Sequence, residues 1–222
     1  SILGKASLNV TGGALTAQTV NFVSPDGIVH VNGDTINGLV NISAGEALAG
    51  VNSGNLSIAS LNLTGDPLIY NTNGDVIIDL ALFNAALATP GEDWTFLAGG
   101  NIIAGAGTNG LTFNTGTGAN GRLTLAAGVT FIPNAGVGTI TIPGAAVPFI
   151  INPGTSATGG NIQLSGVNLQ TDGRDISLQA RGVLLGNLGT IQVGNVTSSG
   201  LGAQPAGIIS ITASGAITTG VL

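Results

Sequence analysis

The feature that most constrains this chain is a short word, apolar-x-apolar, that returns from one end to the other between corners rich in Gly, Asn, Asp and Ser. Leu8-Asn-Val10, Leu56-Ser-Ile58, Leu61-Asn-Leu63, Leu111-Thr-Phe113, Leu123-Thr-Leu125 and Ile140-Thr-Ile142 are instances. Alternation of this kind puts every second side chain on one face and predicts half-buried strands. Helical periodicity is almost absent. Thr11-Gly-Gly13, Asn32-Gly33, Asn37-Gly38, Asn73-Gly74 and Asn109-Gly110 supply the backbone freedom that sharp corners require.

The last third repeats most plainly. Asn161-Ile162-Gln163-Leu164, Asp175-Ile176-Ser177-Leu178, Thr190-Ile191-Gln192-Val193 and Ile208-Ile209-Ser210-Ile211 each follow a corner. Their spacing is irregular, which fits coils with loops of variable length. The expected fold is therefore all-β, a right-handed parallel β-solenoid (β-helix) with variable coil length, occupying residues 1–222 as a single domain. A β-sandwich of antiparallel hairpins is the alternative, because Asn-Gly is also a hairpin signal. Inward candidates are mostly Ile, Leu, Val and Ala, which suits a narrow interior where like stacks on like. At about 20 residues per coil the chain makes about eleven coils, a rod of roughly 50 Å. Asn residues at the corners are expected to stack as ladders from coil to coil.

One segment departs from the pattern. Residues 79–88 (DLALFNAALA) place Leu80, Phe83 and Leu87 at helical spacing ahead of Pro90-Gly91. They predict one short helical excursion that covers apolar surface.

Composition removes several function classes. Lys5, Arg122, Arg174 and Arg181 are the only Lys and Arg residues, against ten carboxylates, and net charge is −6. No basic patch is available for nucleic acid or anionic lipid, so neither nucleic-acid binding nor membrane insertion is expected. The longest apolar stretch, Val76 to Ala88, is too short to span a bilayer as a helix, and 4% aromatics is too few for the girdles of a membrane barrel. The absence of Cys removes thiolate chemistry, and His30 stands alone in Ile28-Val-His-Val31, where an outward strand position accounts for it. No cofactor or metal is expected.

The run Gly173-Arg-Asp-Ile-Ser-Leu-Gln-Ala180, the run Ala206-Gly-Ile-Ile-Ser-Ile-Thr-Ala-Ser-Gly-Ala-Ile-Thr-Thr-Gly220 and Phe96-Leu-Ala-Gly-Gly-Asn-Ile102 resemble the filamentous-haemagglutinin-type repeats of large secreted bacterial exoproteins. The likeness covers the C-terminal half well and the N-terminal half in texture. Ser24-Pro-Asp-Gly-Ile28 matches the Asn-Pro-Asn-Gly-Ile secretion motif of that family only loosely, and its Asn-Pro-Asn-Leu element is missing. The resemblance implies an exported, surface-exposed, non-catalytic β-helix used for adhesion or for building a fibre.

Catalytic candidates are sparse. Asp75/Asp79, Glu92/Asp93 and Asp172/Asp175 are the carboxylate pairs that an enzyme cleaving polysaccharide in a β-helix groove would use. Adjacent Glu92 and Asp93 are expected to splay apart, and Asp172-Gly-Arg-Asp175 reads as a turn. There is no G-x-S-x-G elbow and no Walker loop. Threonines alternating at Thr115/Thr117 and Thr139/Thr141 raise an ice-binding reading, in which ranks of Thr form a flat face.

The ends carry the functional expectation. The chain opens Ser1-Ile-Leu3 and closes Ala216-Ile-Thr-Thr-Gly-Val-Leu222, with no charged cap, and it reads as a processed product or an excised segment whose secretion signal has gone. Ile2, Leu3, Ile217, Val221 and Leu222 are the expected subunit interface. The function expected is that of a non-enzymatic extracellular or cell-surface structural protein. It assembles head-to-tail with itself or continues into adjoining coils of a longer passenger, and neighbouring-cell or host glycans are candidate ligands. A carbohydrate-binding or polysaccharide-cleaving β-helix and an ice-binding solenoid are the alternatives.

Overall fold

In the computed structural model the chain is described at residues 2–3, 7–11, 14–33, 35–51, 56–62, 66–71, 74–88, 90–116, 121–133, 149–153, 160–181, 188–200 and 205–222; side chains are described at 21–22, 66–71, 74–88, 90–116, 121–129, 160–181, 188–200 and 205–222. Strands pair parallel throughout the main stack, and the architecture is a β-solenoid. The one antiparallel pair among the described residues, Val129–Pro133 with Phe149–Pro153, belongs to a side excursion. A sandwich of hairpins is thereby excluded.

From Leu68 onward the chain makes about four turns around three faces. The first face stacks Leu68–Asn71, Trp94–Ala98, Leu123–Ala127, Ile176–Ala180 and Ile209–Ala213. The second stacks Val76–Ile78, Ile102–Ala104, Ile162–Leu164, Ile191–Val193 and Ile217–Thr218. The third holds Thr112–Asn114, Asn168–Thr171 and Val196–Ser198. This geometry explains the irregular spacing of the C-terminal words. Ile162 and Ile191 sit on the second face, whereas Ile176 and Ile209 sit on the first, so vertical neighbours are every second word.

The coil is longer than expected in this half. Corner hydrogen bonds join residues 26, 27 and 29 apart along the chain on successive levels. One coil is lengthened by the 129–160 excursion, so that Asn101 meets Asn161. The strands Ala14–Gly33 and Thr35–Val51 run through the N-terminal part, where Ser7 faces Ile28 and Ile28 faces Glu46, a repeat close to the 20 residues expected. The chain therefore stacks fewer levels than the eleven expected. His30 lies in this part, paired with Asn9 and Leu48 along the backbone.

Like stacks on like inside. Trp94, Leu123 and Ile176 form one inward column, Phe96, Leu125 and Leu178 the next, and Ala98, Ala127 and Ala180 a third, all buried. On the second face Val76, Ile102, Ile162 and Ile191 do the same. Phe113 anchors the wide end. Its ring meets Phe83, Trp94 and Phe96 edge-on at centroid distances of 5.3, 5.4 and 5.8 Å, the geometry that aligns ring edges with faces. Beyond it Thr115, Thr171 and Ser198 make a buried hydroxyl column. Each donates to a corner carbonyl, that of Gly121 for Thr115 and that of Arg174 for Thr171 and Ser198.

The helix forms at Leu80–Ala88, within the expected segment, with Asp79 Oδ1 accepting the Ala81 amide at 3.1 Å as an N-cap. It packs against the strands Leu56–Asn62 and Thr112–Asn114 and so covers solenoid surface. Its buried face differs from the expected one. Leu82, Phe83, Ala85 and Ala86 point in, while Leu80 and Leu87 are exposed. A helix that is apolar all round leaves its orientation to packing, and Phe83 reaching Phe113 decides it.

The open terminal coil as candidate functional site

The corners position the last coil. At the entry to the first face, Asp66 Oδ1 accepts the Asp93 amide at 2.8 Å, Asp93 Oδ1 accepts the Arg122 amide at 2.8 Å, and Asp175 Oδ1 accepts the Ile208 amide at 2.8 Å. At the entry to the second face, Asp75 Oδ1 accepts from Asn101, Asn101 Oδ1 from Asn161, and Asn161 Oδ1 from both the amide and the hydroxyl of Thr190 at 2.9 Å. At the entry to the third, Asn168 Oδ1 accepts the Asn195 amide and Asn195 Oδ1 the Val221 amide, each at 2.9 Å. These are the expected ladders, with Asp sharing the work. Each of these Asp and Asn acceptors serves the coil C-terminal to it, whereas the Ser214 hydroxyl accepts the Gly189 amide of the preceding coil.

The first-face and third-face ladders end at the last described coil, and the second-face ladder ends one coil earlier, at Thr190. Ile208 stands where Asp175 stands one coil earlier, and Val221 where Asn195 stands. On the second face Ala216 follows Thr190 in the stack. None of the three has a side-chain acceptor. Ile208, Val221 and Leu222 are 70%, 70% and 69% exposed, and Ile217 is 47% exposed. Ile209, Ile211 and Ala213 pack on the core from one side only and are half-buried, whereas the Ile176, Leu178 and Ala180 below them are fully buried. The strand Ile209–Ala213 pairs with Ile176–Ala180 and, among the described residues, with no other strand. The last coil thus presents apolar side chains beside an unpaired parallel edge, which together form a surface that a further strand layer can cover.

Of the expected interface residues, Ile217, Val221 and Leu222 are exposed in the last described coil. Ile2 and Leu3 pair along the backbone with Phe22 and Val23, and their side chains lie outside the described residues. Ile209 and Ile211 belong to the same surface and were missed. Their signal was in the sequence: the word Ile209-Ser-Ile-Thr-Ala213 repeats Ile176-Ser-Leu-Gln-Ala180, on which it stacks.

Most of the described carboxylates cap backbone amides. Asp75 and Asp175 cap amides, Asp79 caps the helix, and Asp93 is 2% exposed, bound to the Gly121 and Arg122 amides and, through Oδ2, to the Arg122 guanidinium at 2.8 Å. Glu92 lies within reach of the charges of both Asp66 and Asp93. Burial pushes its carboxyl up to about 7, aided by a hydrogen bond with Asp66 and by the charges of Asp66 and Asp93. Trp94 and Tyr70 are wholly buried, so neither ring is presented to a ligand, and burial pushes the Tyr70 phenol up. Thr115, one of the threonines expected on a flat rank, is buried; Thr117, Thr139 and Thr141 lie outside the described residues. A polar cavity of about 310 Å3 opens between Arg122, Gly173, Arg174 and Asp175. Among the described residues no group of three or more His, Cys, Asp or Glu side chains is placed to hold a metal, and no helix is long and apolar enough to cross a membrane.

The fold defines the class: a parallel β-solenoid. Beyond the class, no family model, curated protein or solved structure matches the chain.

Proposed function

We propose that the chain is a non-enzymatic structural protein of the cell surface or extracellular space, a solenoid segment whose C-terminal coil is covered by further solenoid. A second copy stacked head-to-tail gives a filament, and adjoining coils of a longer passenger give a fibrous adhesin. The carrying observation is the last described coil, where Ile209 and Ile211 are half-buried and Ile217 is exposed while Ile176, Leu178 and Ile191 one level below are buried. The commitment of Asp66, Asp75, Asp79, Asp93 and Asp175 to backbone capping supports a structural reading. The C-terminal words that resemble filamentous-haemagglutinin repeats stack directly on one another, which is consistent with a role in a fibre.

Negative-stain electron microscopy over a concentration series tests this. Thin unbranched filaments that shorten or vanish with Leu222→Asp are expected, because the change puts a charge on the covered surface. Monodisperse particles at every concentration remove self-assembly. A carbohydrate-binding reading rests on the cavity between Arg122, Arg174 and Asp175, whose guanidinium and carboxylate groups suit sugar hydroxyls. Calorimetric titration with neutral and acidic oligosaccharides tests it, and absence of binding removes it.

A further inference from the structure

At the entry to the first face one position recurs on successive coils, and Asp66, Asp93, Arg122, Asp175 and Ile208 fill it in turn. Asp66, Asp93 and Asp175 each cap the amide of the next residue in the column. Arg122 breaks that rule, since it sets a cation between two carboxylates and has no side-chain oxygen to offer the next level. The exception stands at a cavity of about 310 Å3, lined by Arg122, Gly173, Arg174 and Asp175. A local departure from a stacking rule is where a functional site is to be sought. Two of the four Lys and Arg residues of a chain with net charge −6 meet there. The corner is held by its backbone. Gly173 has φ 77°, and a Cβ there would come to 2.6 Å from the Pro205 carbonyl oxygen. The Arg174 carbonyl accepts the Thr171 and Ser198 hydroxyls, and Ser198 in turn accepts the Gly207 amide at 2.9 Å. The Asp175 carbonyl accepts the Leu123 amide at 3.0 Å and its Oδ1 the Ile208 amide at 2.8 Å, which leaves Oδ2 without a bond among the described residues. On the Arg122 guanidinium, Asp93 Oδ2 takes Nε and Nη2, which leaves Nη1 without a bond among the described residues.

We propose that this cavity binds a sugar acid, a hydroxylated carboxylate such as one uronic-acid unit of an acidic polysaccharide. The guanidinium groups of Arg122 and Arg174 receive the carboxylate, whose two oxygens match their planar donor fork. Asp175 Oδ2 accepts a neighbouring sugar hydroxyl. The volume lies at the small end of ligand sites and suits one sugar unit. Both halves of the ligand are needed: a neutral sugar leaves the surplus positive charge unmatched, and a simple anion brings no hydroxyl to Asp175. The inference rests on the carbohydrate-binding reading above and names charge as what selects the sugar.

Nuclear magnetic resonance titration of the isotope-labelled chain tests it, read at the backbone amides of Gly173, Arg174 and Asp175, with galacturonate, galactose and acetate as probes at constant ionic strength. Galacturonate is expected to shift these amides saturably and to bind at least about tenfold more tightly than either galactose or acetate. Arg174→Gln, with a parental urea midpoint as the check on its fold, is expected to bring galacturonate down to the galactose level. Equal binding of galactose and galacturonate by the parent chain overturns selection by charge and leaves the carbohydrate-binding reading standing. Acetate binding as tightly as galacturonate overturns the sugar and leaves an anion site. An unchanged preference in a folded Arg174→Gln variant overturns the role of Arg174. No saturable shift of these amides with either sugar overturns the carbohydrate-binding reading itself. The three parent titrations decide the proposal without any variant.

Discussion

Replacing Asp93 with Ala should be among the most costly single changes at the corners. Asp93 is 2% exposed, and its Oδ1 accepts the Gly121 and Arg122 amides, each at 2.8 Å, while Oδ2 accepts Arg122 Nε at 3.0 Å and Nη2 at 2.8 Å. Hydrogen bonds to a charged acceptor contribute about 1.5–3 kcal/mol each, so the two amides account for about 3 kcal/mol or more. The Arg122 side chain is 41% exposed and re-solvates when its partner goes, so the ion pair adds about 1 kcal/mol at most. Asp93→Ala should therefore cost about 3–4 kcal/mol. Asp93→Asn keeps an oxygen facing both amides and should cost about 1–2 kcal/mol. Urea denaturation followed by Trp94 fluorescence reads both, since the indole is adjacent in sequence and buried. A loss below about 1 kcal/mol for Ala, or equal losses for Ala and Asn, would falsify the assignment of Asp93 as an amide-capping carboxylate.

Three further changes probe the corners. Asn161→Ala strands the Thr190 amide and leaves Asn101 Oδ1 without the Asn161 side-chain donor; it should lower stability by about 2 kcal/mol in the same urea assay. Glu92 holds its proton more tightly in the folded chain, at about 7 against an ordinary 4.5, so its contribution is complete below about 4.5 and is lost as pH rises through about 7. Urea midpoints should fall across that window, and Glu92→Gln should flatten the fall; an identical slope in parent and variant refutes the Glu92–Asp66 contact. Gly128 has φ 66°, and a Cβ there would overlap the Arg181 carbonyl oxygen and the Gly160 Cα. Gly128→Ala should cost more than about 3 kcal/mol and depress soluble yield, and a variant with parental yield and midpoint would show that this corner yields.

The solenoid was legible because its two signals are local. Alternation gives the strands, and Gly, Asn and Asp give the corners. Coil length was not legible, because it depends on which face a word joins. The step from Ile162 to Ile176 and on to Ile191 looks like an irregular repeat until the words are assigned to the second, first and second faces, after which Ile162 and Ile191 fall into register. Corners also differ in what they consume. Gly105 to Leu111 is a full loop, closed by the Thr108 hydroxyl on the Gly105 carbonyl and the Leu111 amide on the Thr108 carbonyl, whereas the N-terminal part runs as the long strands Ala14–Gly33 and Thr35–Val51. The helix shows a different limit: its extent was set by Asp79 and Pro90, but its buried face was set by Phe113, 30 residues further on from Phe83 in the chain.

The end of the stack joins the structural and functional arguments. In a solenoid each level is stabilised by the level on either side, so a terminal level has half the support of an internal one. Here that deficit coincides with the loss of corner acceptors at Ile208, Ala216 and Val221 and with exposed Ile217 and Leu222. A polar end coil would meet the same deficit by giving its edge to water. This one carries apolar side chains at the position where they gain most from a cover, and the parallel edge of Ile209–Ala213 supplies direction and register for it. Under the proposed assembly, ordering of the last described coil and assembly would be one equilibrium, because a layer that buried Ile211 would also pair the strand that holds it.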